Sequence, residues 1–347
     1  MIAKASKPKV LQLGTTWTGH NDELVQKFSS AFDVVPVEKQ DLERAIFIEH
    51  LRCRKWGDFD AIIRPVVYSG QETEPWDDDI VSLLPQSLKI YASVGAGYDW
   101  MDIPLLTAKG ILYCNSGAAC TLAVADAALY LVISVFRHFT IAQFGAKTGN
   151  PLTWSKTRNR IREIGHNPQG HTVGVVGLGR IGHLVAKKVY FGLGCKIVYH
   201  DVERKSRVEA EIHAQYFELL DEMLAVSDCV VVCAPYFGKQ IMGAEQFAKC
   251  KRGARFVIVS RGQLMDETAL VEALRSGHLS AAGLDVYQNE PDVHPELVKM
   301  ENVTMMPHCA GGSIESTTGF ERLCMENIES FFSAGKALTP VNPEAQD

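Results

Sequence analysis

The stretch His171-Thr-Val-Gly-Val-Val-Gly-Leu-Gly-Arg-Ile-Gly182 runs on through Val185 to Tyr190 and closes on Lys196-Ile-Val-Tyr-His-Asp201. Its reading decides the fold. Val173 to Val176 is a short, β-branched, apolar run, as a buried strand requires. Gly177, Gly179 and Gly182 follow in G-x-G-x-x-G spacing. Behind them Ile181, Leu184, Val185, Lys188 and Val189 recur at helical spacing, and a second strand leads into Asp201. Gly177 allows a sharp turn out of the strand, Gly179 leaves room for a pyrophosphate, and Gly182 lets the helix lie close on the sheet. The free N–H groups at the helix start, at its positive dipole end, attract phosphate.

Asp201 stands where a carboxylate accepts hydrogen bonds from an adenosine ribose. It favours NAD(H) over NADP(H), because a 2′-phosphate meets its negative charge. Arg204, Lys205 and Arg207 follow closely and keep NADP(H) open, although a solvated basic loop is their other reading. The glycine spacing alone is weak evidence. Strand, glycines, helix, second strand and terminal acid together are specific.

A chain of 347 residues exceeds the usual size of one core, so two domains are expected. A formal net charge of −6 gives no electrostatic case for nucleic acid or an anionic membrane. No apolar run approaches the ~20 residues that span a bilayer. The polar start, Met1 to Lys9, lacks an apolar signal core, so a cytoplasmic protein is expected. The nine cysteines stand singly, without C-x-x-C, and read as small buried hydrophobes; no metal site is expected. Cys309 neighbours a candidate catalytic histidine and is also read as a packing residue.

Strand-like and helical segments alternate throughout. Lys9–Leu13, Phe32–Val37, Ala61–Arg64, Leu88–Ser93 and Ile111–Cys114 read as five strands before the glycine motif, with helices between them. Thr121 to Gln143 reads as one long apolar helix buried between domains or subunits, with a core helix as the alternative. Residues 149–170 read as a polar loop or arm. Strands at Cys229–Ala234, Phe256–Ser260, Ala282–Val286 and Val303–Met306, and a closing helix over Thr317–Ser333, complete the pattern. Such alternation predicts parallel sheets with helices on both faces. Ligands of such sheets bind beyond the carboxyl ends of the strands, where Ser260-Arg261-Gly262, Asp285 and Pro307-His308 fall.

With these motifs in hand, the chain resembles the NAD-dependent D-isomer-specific 2-hydroxyacid dehydrogenases. The likeness rests on Gly177-Leu-Gly-Arg-Ile-Gly, Val259-Ser-Arg-Gly, Ala269-Leu-Val-Glu-Ala-Leu-Arg-Ser-Gly, Gly283-Leu-Asp-Val, Glu290-Pro291 and Pro307-His308. In the first half it rests on Ser93-Val-Gly-Ala-Gly-Tyr-Asp and Ala125-Asp-Ala-Ala-Leu. The segment from Glu74 to Asp102 is similar to D-mandelate dehydrogenases, and to fungal-type reductases of keto sugar acids.

The resemblance implies two doubly wound domains. One is a flavodoxin-like substrate domain from residues 1–118 and 313–347; the other is a Rossmann cofactor domain over 119–312. The active site would lie between them. It implies His308 as the acid/base, Glu290 as the partner that stabilises its imidazolium, and Arg261 as the holder of the substrate carboxylate. Backbone N–H groups at Val94, Gly95 and Ala96 would take another carboxylate oxygen. Asp285 would bind the nicotinamide carboxamide, Asp201 the adenine ribose, and Ala234-Pro235 would border the adenine. Arg180, Ile181, Ser260 and Gly311 complete the implied cofactor set. Arg64 and Tyr68 would face the substrate side chain; a salt-bridged arginine and a packed tyrosine are the equal alternative.

The expected reaction is reversible reduction of a 2-oxoacid to a D-2-hydroxyacid, with a bulky aryl or keto sugar acid as substrate and a homodimer as the assembly. Glyoxylate or hydroxypyruvate reduction is the second enzymatic reading. An NAD-sensing, corepressor-like binding protein is the reading from another class.

Overall fold

The computed structural model describes residues 7–66 and 70–346. Tyr68 lies outside the described residues. The chain forms two compact units, Met1–Cys120 with Ser313–Asp347, and Thr121–Gly312.

The first unit runs β1 (Lys9–Leu13), α1 (Asp22–Ala31), β2 (Asp33–Val37), α2 (Arg44–Arg52), β3 (Ala61–Arg64), α3 (Asp78–Val81), β4 (Ile90–Ser93), α4 (Ile103–Ala108) and β5 (Leu112–Asn115). The sheet order is β2-β1-β3-β4-β5, with every pairing parallel. That is the flavodoxin-like order. β3, β4 and β5 are buried along their whole length, as strands covered on both faces must be. One core packs Leu11, Phe47, Ile62, Trp76, Tyr91 and Tyr113. The closing helix, Ile314–Ala334, returns to this unit and packs on β3, β4 and β5. It begins at Ser313, whose hydroxyl accepts from Ser316 N at 3.0 Å.

The second unit opens with α5 (Thr121–Arg137), α6 (Phe139–Lys147) and α7 (Pro151–Ile164). Then come β6 (Thr172–Val176), α8 (Arg180–Leu193), β7 (Lys196–His200), α9 (Ser206–Ile212), β8 (Gln215–Tyr216), α10 (Leu220–Val226) and β9 (Cys229–Val232). It closes with α11 (Ala244–Lys249), β10 (Ala254–Ile258), α12 (Glu267–Arg275), β11 (Leu279–Leu284), α13 (Pro295–Lys299) and β12 (Val303–Met305). The order β12-β11-β10-β9-β6-β7-β8 is all parallel. Strand order reverses at β6, the first strand of the unit's sheet. This is the Rossmann switch point.

Two expectations are corrected. Residues 149–170 are not a loop, because α7 fills 151–164. Asn150 caps it, accepting from Leu152 N and Thr153 N at 3.0 Å each, and Pro151 takes the first turn. The apolar run from Thr121 is not one helix. It breaks at His138, which sits in the left-handed region at φ 51°, and α6 leaves α5 at 78°. Helix α5 packs on β10 and β11 of its own unit, and Leu131 and Val135 lie against Gly283, as the core-helix alternative has it. No single helix among the described residues is long and apolar enough to cross a membrane.

Candidate active site

The glycine turn has the geometry its residues predict. Gly177 sits at φ 87°, and a Cβ there would lie 2.7 Å from Ala234 Cα and N. So the turn is pressed against the end of β9, and only glycine fits. At Gly182 a Cβ would lie 2.0 Å from Gly177 O, so the helix can approach its own turn only without a side chain. Gly179 is different: nothing stands within 4 Å of its would-be Cβ. It caps α8 with no side-chain bond, leaving the first-turn amides for a ligand. Arg180 and Ile181 carry those amides. Asp201 follows β7, and its Oδ2 accepts from Leu178 N at 2.6 Å. The carboxylate is thereby held beside the glycine turn. Open space at Gly179, uncapped amides and an adjacent carboxylate fit a dinucleotide.

At the same end of the sheet, β10, β11 and β12 deliver the other candidates. His308 Nδ1 and Glu290 Oε2 lie 2.6 Å apart. Glu290 is aimed by its own loop, since its Oε1 accepts from Tyr287 N at 2.8 Å. Tyr287 is in turn tied down by its hydroxyl, which donates to Met306 O at 3.0 Å. Burial pushes the Glu290 carboxyl up. The His308 and Tyr287 hydrogen bonds and the charges of His308 and Arg261 outweigh it, so the group is held below the usual carboxylate range. The Arg261 charge thus reaches the pair. Arg261 itself donates to Ser260 O at 2.9 Å.

Asp285, at the end of β11 and 1% exposed, does more than its sequence role implied. Its carboxylate accepts from Cys309 N at 2.8 Å and from Ala310 N at 3.1 Å. Its backbone O accepts from His308 N at 2.7 Å. It therefore shapes the turn that carries His308, which holds φ 50°, a conformation that costs energy unless its surroundings enforce it. Burial raises the Asp285 carboxyl, and those two amides and the His308 charge partly offset the rise. Gly311 lies in the same turn, which Gly312 N closes on Cys309 O at 2.8 Å. Cys309 is exposed rather than packed, a correction, because the turn points it outward. Its thiol is raised by burial and by the Asp285 charge, so it is a poor nucleophile.

One feature had no signal in the sequence beyond its motif. A Cβ on Gly262 would lie 1.9 Å from the carbonyl carbon and oxygen of Tyr287. The loop after Arg261 therefore rests directly on the backbone that aims Glu290. Ser260 Oγ donates to Val232 O at 3.3 Å, joining β10 to β9.

The first unit carries the remaining candidates. Arg64 is 4% exposed. It pairs with Glu74 at 2.9 Å and lies over the Trp100 ring at 4.6 Å, so the structure gives it the salt-bridged role. The Val94 amide is taken by Arg64 O at 3.2 Å, which corrects its candidacy as a carboxylate donor. Gly95 sits at φ 88° with open space beside it. Among the described residues, no acceptor is recorded for its amide or that of Ala96.

The model of the "D-isomer specific 2-hydroxyacid dehydrogenase, NAD binding domain" matches residues 129–310. The structure is similar to the holo form of Rhodotorula graminis D-mandelate dehydrogenase, at 41% identity and TM-score 0.93 over 97% of this chain and 98% of that one. A glyoxylate reductase from Paecilomyces thermophila gives 32% identity and TM-score 0.88, covering 98% and 99%. In sequence, 4-methyl-2-oxopentanoate reductase A of Aspergillus oryzae is 35% identical over 305 residues, 86% of this chain and 89% of that protein.

Proposed function

This chain belongs to the D-isomer-specific 2-hydroxyacid dehydrogenases, and within that family of oxidoreductases we propose that it uses NADH to reduce a bulky 2-oxoacid, an aryl or keto sugar acid, to the D-2-hydroxyacid. The observation that carries this reading is the His308–Glu290 contact of 2.6 Å. Nδ1 is committed to the carboxylate, so Nε2 is the nitrogen that gives a proton to the substrate carbonyl oxygen. A nicotinamide held beside the glycine turn would supply the hydride to the carbonyl carbon. On giving its proton His308 becomes neutral, and the product carries a hydroxyl. Glu290 fixes the ring through the 2.6 Å contact and sets a negative charge beside it. General acid catalysis of this kind typically contributes ~10²–10⁴ in rate. Arg261 holds the substrate carboxylate with its planar donor fork and offsets negative charge building on the carbonyl oxygen. The Gly95 and Ala96 amides form a second, smaller anion cradle.

Asp201 supports NADH over NADPH, since its carboxylate occupies the ribose edge of the glycine turn. Two of the basic residues after it are turned to other partners. Arg204 makes two bonds of 2.8 Å to Glu209, and Lys205 reaches Glu203 at 2.6 Å. These exposed pairs are individually weak, so the preference rests on the Asp201 carboxylate. A bulky substrate is supported by the likeness to D-mandelate dehydrogenase. The commitment of Arg64 to Glu74 and Trp100 adds to it, because it removes the cation that a second substrate carboxylate needs. We also propose a cytoplasmic homodimer, with Leu122 and Tyr130 on α5, Phe144 on α6 and Leu152 and Trp154 on α7, all exposed, at its interface.

The test is a steady-state panel of phenylglyoxylate, a 2-keto sugar acid, glyoxylate and hydroxypyruvate with NADH and NADPH. The highest kcat/KM is expected with NADH and one of the first two. A preference for glyoxylate or hydroxypyruvate overturns the substrate assignment. Tight NADH binding without turnover of any 2-oxoacid overturns the enzymatic reading in favour of a binding protein.

A further inference from the structure

The amino-terminal edge of the second unit's sheet gathers cations that the redox chemistry does not use. Arg255 is the second residue of β10 and only 6% exposed. Its guanidinium lies 4.2 Å from the centre of the Phe136 ring at the end of α5. Among the described residues no hydrogen bond or ion pair to this guanidinium is recorded, and its Nε is buried without a partner. The His171 ring stands 5.1 Å from the same Phe136 ring, and the His166 ring 6.1 Å from that of His171. His138, 8% exposed, follows Phe136 by two residues at the α5–α6 break. The Nδ1 atoms of His138 and His171 are likewise buried and unpartnered.

Buried polar groups are almost always satisfied, and a buried charge without acceptors is costly. The negative end of the α5 dipole explains why cations collect here. It does not give the buried Nε of Arg255 an acceptor, since His166 N already takes the Phe136 carbonyl at 2.8 Å. Four donor-bearing side chains from four separate segments lie around Phe136; the Asp228 charge reaches Arg255 and His171, but among the described residues no hydrogen bond from these side chains to a carboxylate is recorded.

We propose that Arg255, His138, His166 and His171 form a binding site for a tetrahedral oxyanion, a phosphate group. It is separate from the cofactor turn. His171 and Gly177 flank opposite ends of β6, and six residue steps at ~3.3 Å put them roughly 20 Å apart. The neighbours are consistent with this. Burial and the charge of Arg255 hold both His138 and His166 below the ordinary histidine value, with Arg160 also acting on His138. An anion reverses that repulsion. The nearby carboxylate, Asp228, is shared with Lys251 Nζ at 2.8 Å and Thr172 N at 2.8 Å. The Cys229 thiol, on β9, is pushed up by burial and stays neutral. Acidification therefore adds positive charge at His138 and His166 beside Arg255, and affinity rises as pH falls.

The experiment is thermal unfolding of the NADH-saturated protein against inorganic phosphate, a small phosphomonoester and sulfate, at pH 6 and pH 8, with sodium chloride at matched ionic strength. Saturating NADH occupies the glycine turn. A rise in Tm of about 3–5 °C is expected at roughly tenfold the dissociation constant. Sulfate keeps its charge across this range, so a larger sulfate effect at pH 6 reports the histidines. Phosphomonoester binding tighter than inorganic phosphate identifies a metabolite as the source; the reverse identifies free phosphate. Arg255→Met should abolish the response with little change in basal Tm, because an unbranched apolar side chain still covers the Phe136 ring. His171→Gln should weaken it severalfold. A rise equal to that in chloride, or an undiminished rise in both variants, overturns the proposal.

Discussion

Gly262→Ala tests whether the loop after Arg261 and the loop of Glu290 are one mechanical unit. The added methyl would lie 1.9 Å from both C and O of Tyr287 and 2.6 Å from Gln288 N. Ordinary contact begins near 3.4 Å, so 3.4 − 1.9 = 1.5 Å must be opened. The obstacle is backbone, so no rotamer change relieves it. Tyr287 and Gln288 resist moving: the Tyr287 hydroxyl bonds Met306 O, and Gln288 N donates to the buried Glu267 at 2.8 Å. If they yield, Glu290 moves with Tyr287 and the His308 ring loses its partner. If the other side yields, Arg261 moves. Either displacement exceeds the ~1 Å that typically costs about 10² in rate, and overpacking costs about 1–3 kcal/mol of stability. We expect kcat/KM for 2-oxoacid reduction to fall about a hundredfold, with Tm lower by about 3–8 °C. Gly179→Ala is the control, because its methyl meets nothing within 4 Å; it should leave Tm unchanged and weaken NADH alone. A Gly262→Ala enzyme within threefold of wild-type kcat/KM, with an unshifted Tm, refutes the coupling.

Three further substitutions address the proposed roles separately. His308→Asn keeps a residue type that tolerates φ 50°, so it should fold and bind NADH normally while losing about 10²-fold or more in kcat; retained turnover excludes His308 as the acid. For Glu290→Gln the sign follows from the carboxylate itself. The Glu290 carboxyl is held below its ordinary value, with the His308 hydrogen bond and charge among the causes, so the wild type should keep its charged partner, and its activity, to pH values below the ordinary carboxylate range. The variant should lose kcat at every pH and lack the acid limb that protonation of this carboxylate sets; an unchanged kcat counts against the pair. Asp201→Ala should raise the NADPH/NADH ratio of kcat/KM by about tenfold, and an unaltered ratio removes Asp201 from cofactor choice.

The glycine turn was legible in sequence because its chemistry dictates its residues: Gly177 and Gly182 meet backbone atoms where a Cβ would sit. The helix α7 was not. None of its side chains is buried, so it has no apolar stripe, and Asn150-Pro151, which start it, also read as turn residues. The break at His138 had no proline or glycine to announce it. Arg64 carried two equal readings because its partners, ten positions away at Glu74 and further on at Trp100, meet it only through the fold. Gly262 belonged to a motif, but its cause lies 25 positions downstream in the Tyr287 backbone. The cationic cluster spans residues 138–255, and only the parallel crossovers bring its members to one edge.

Cofactor choice and acid–base chemistry hang on strands far apart in one sheet, and this spacing has a measurable consequence. Asp201 follows β7 and His308 follows β12. In the order β12-β11-β10-β9-β6-β7 they are five strands apart, which at ~4.8 Å per strand is roughly 24 Å. Effects of substitutions more than ~10 Å apart usually add within about 0.5 kcal/mol. The double variant Asp201→Ala/Glu290→Gln should therefore combine the altered NADPH/NADH ratio with the lowered kcat, each as large as in its single variant. An interaction above about 1 kcal/mol in kcat/KM would mean that the bound dinucleotide transmits strain from the ribose edge to the imidazole. The sheet would then not be the rigid frame on which both assignments depend.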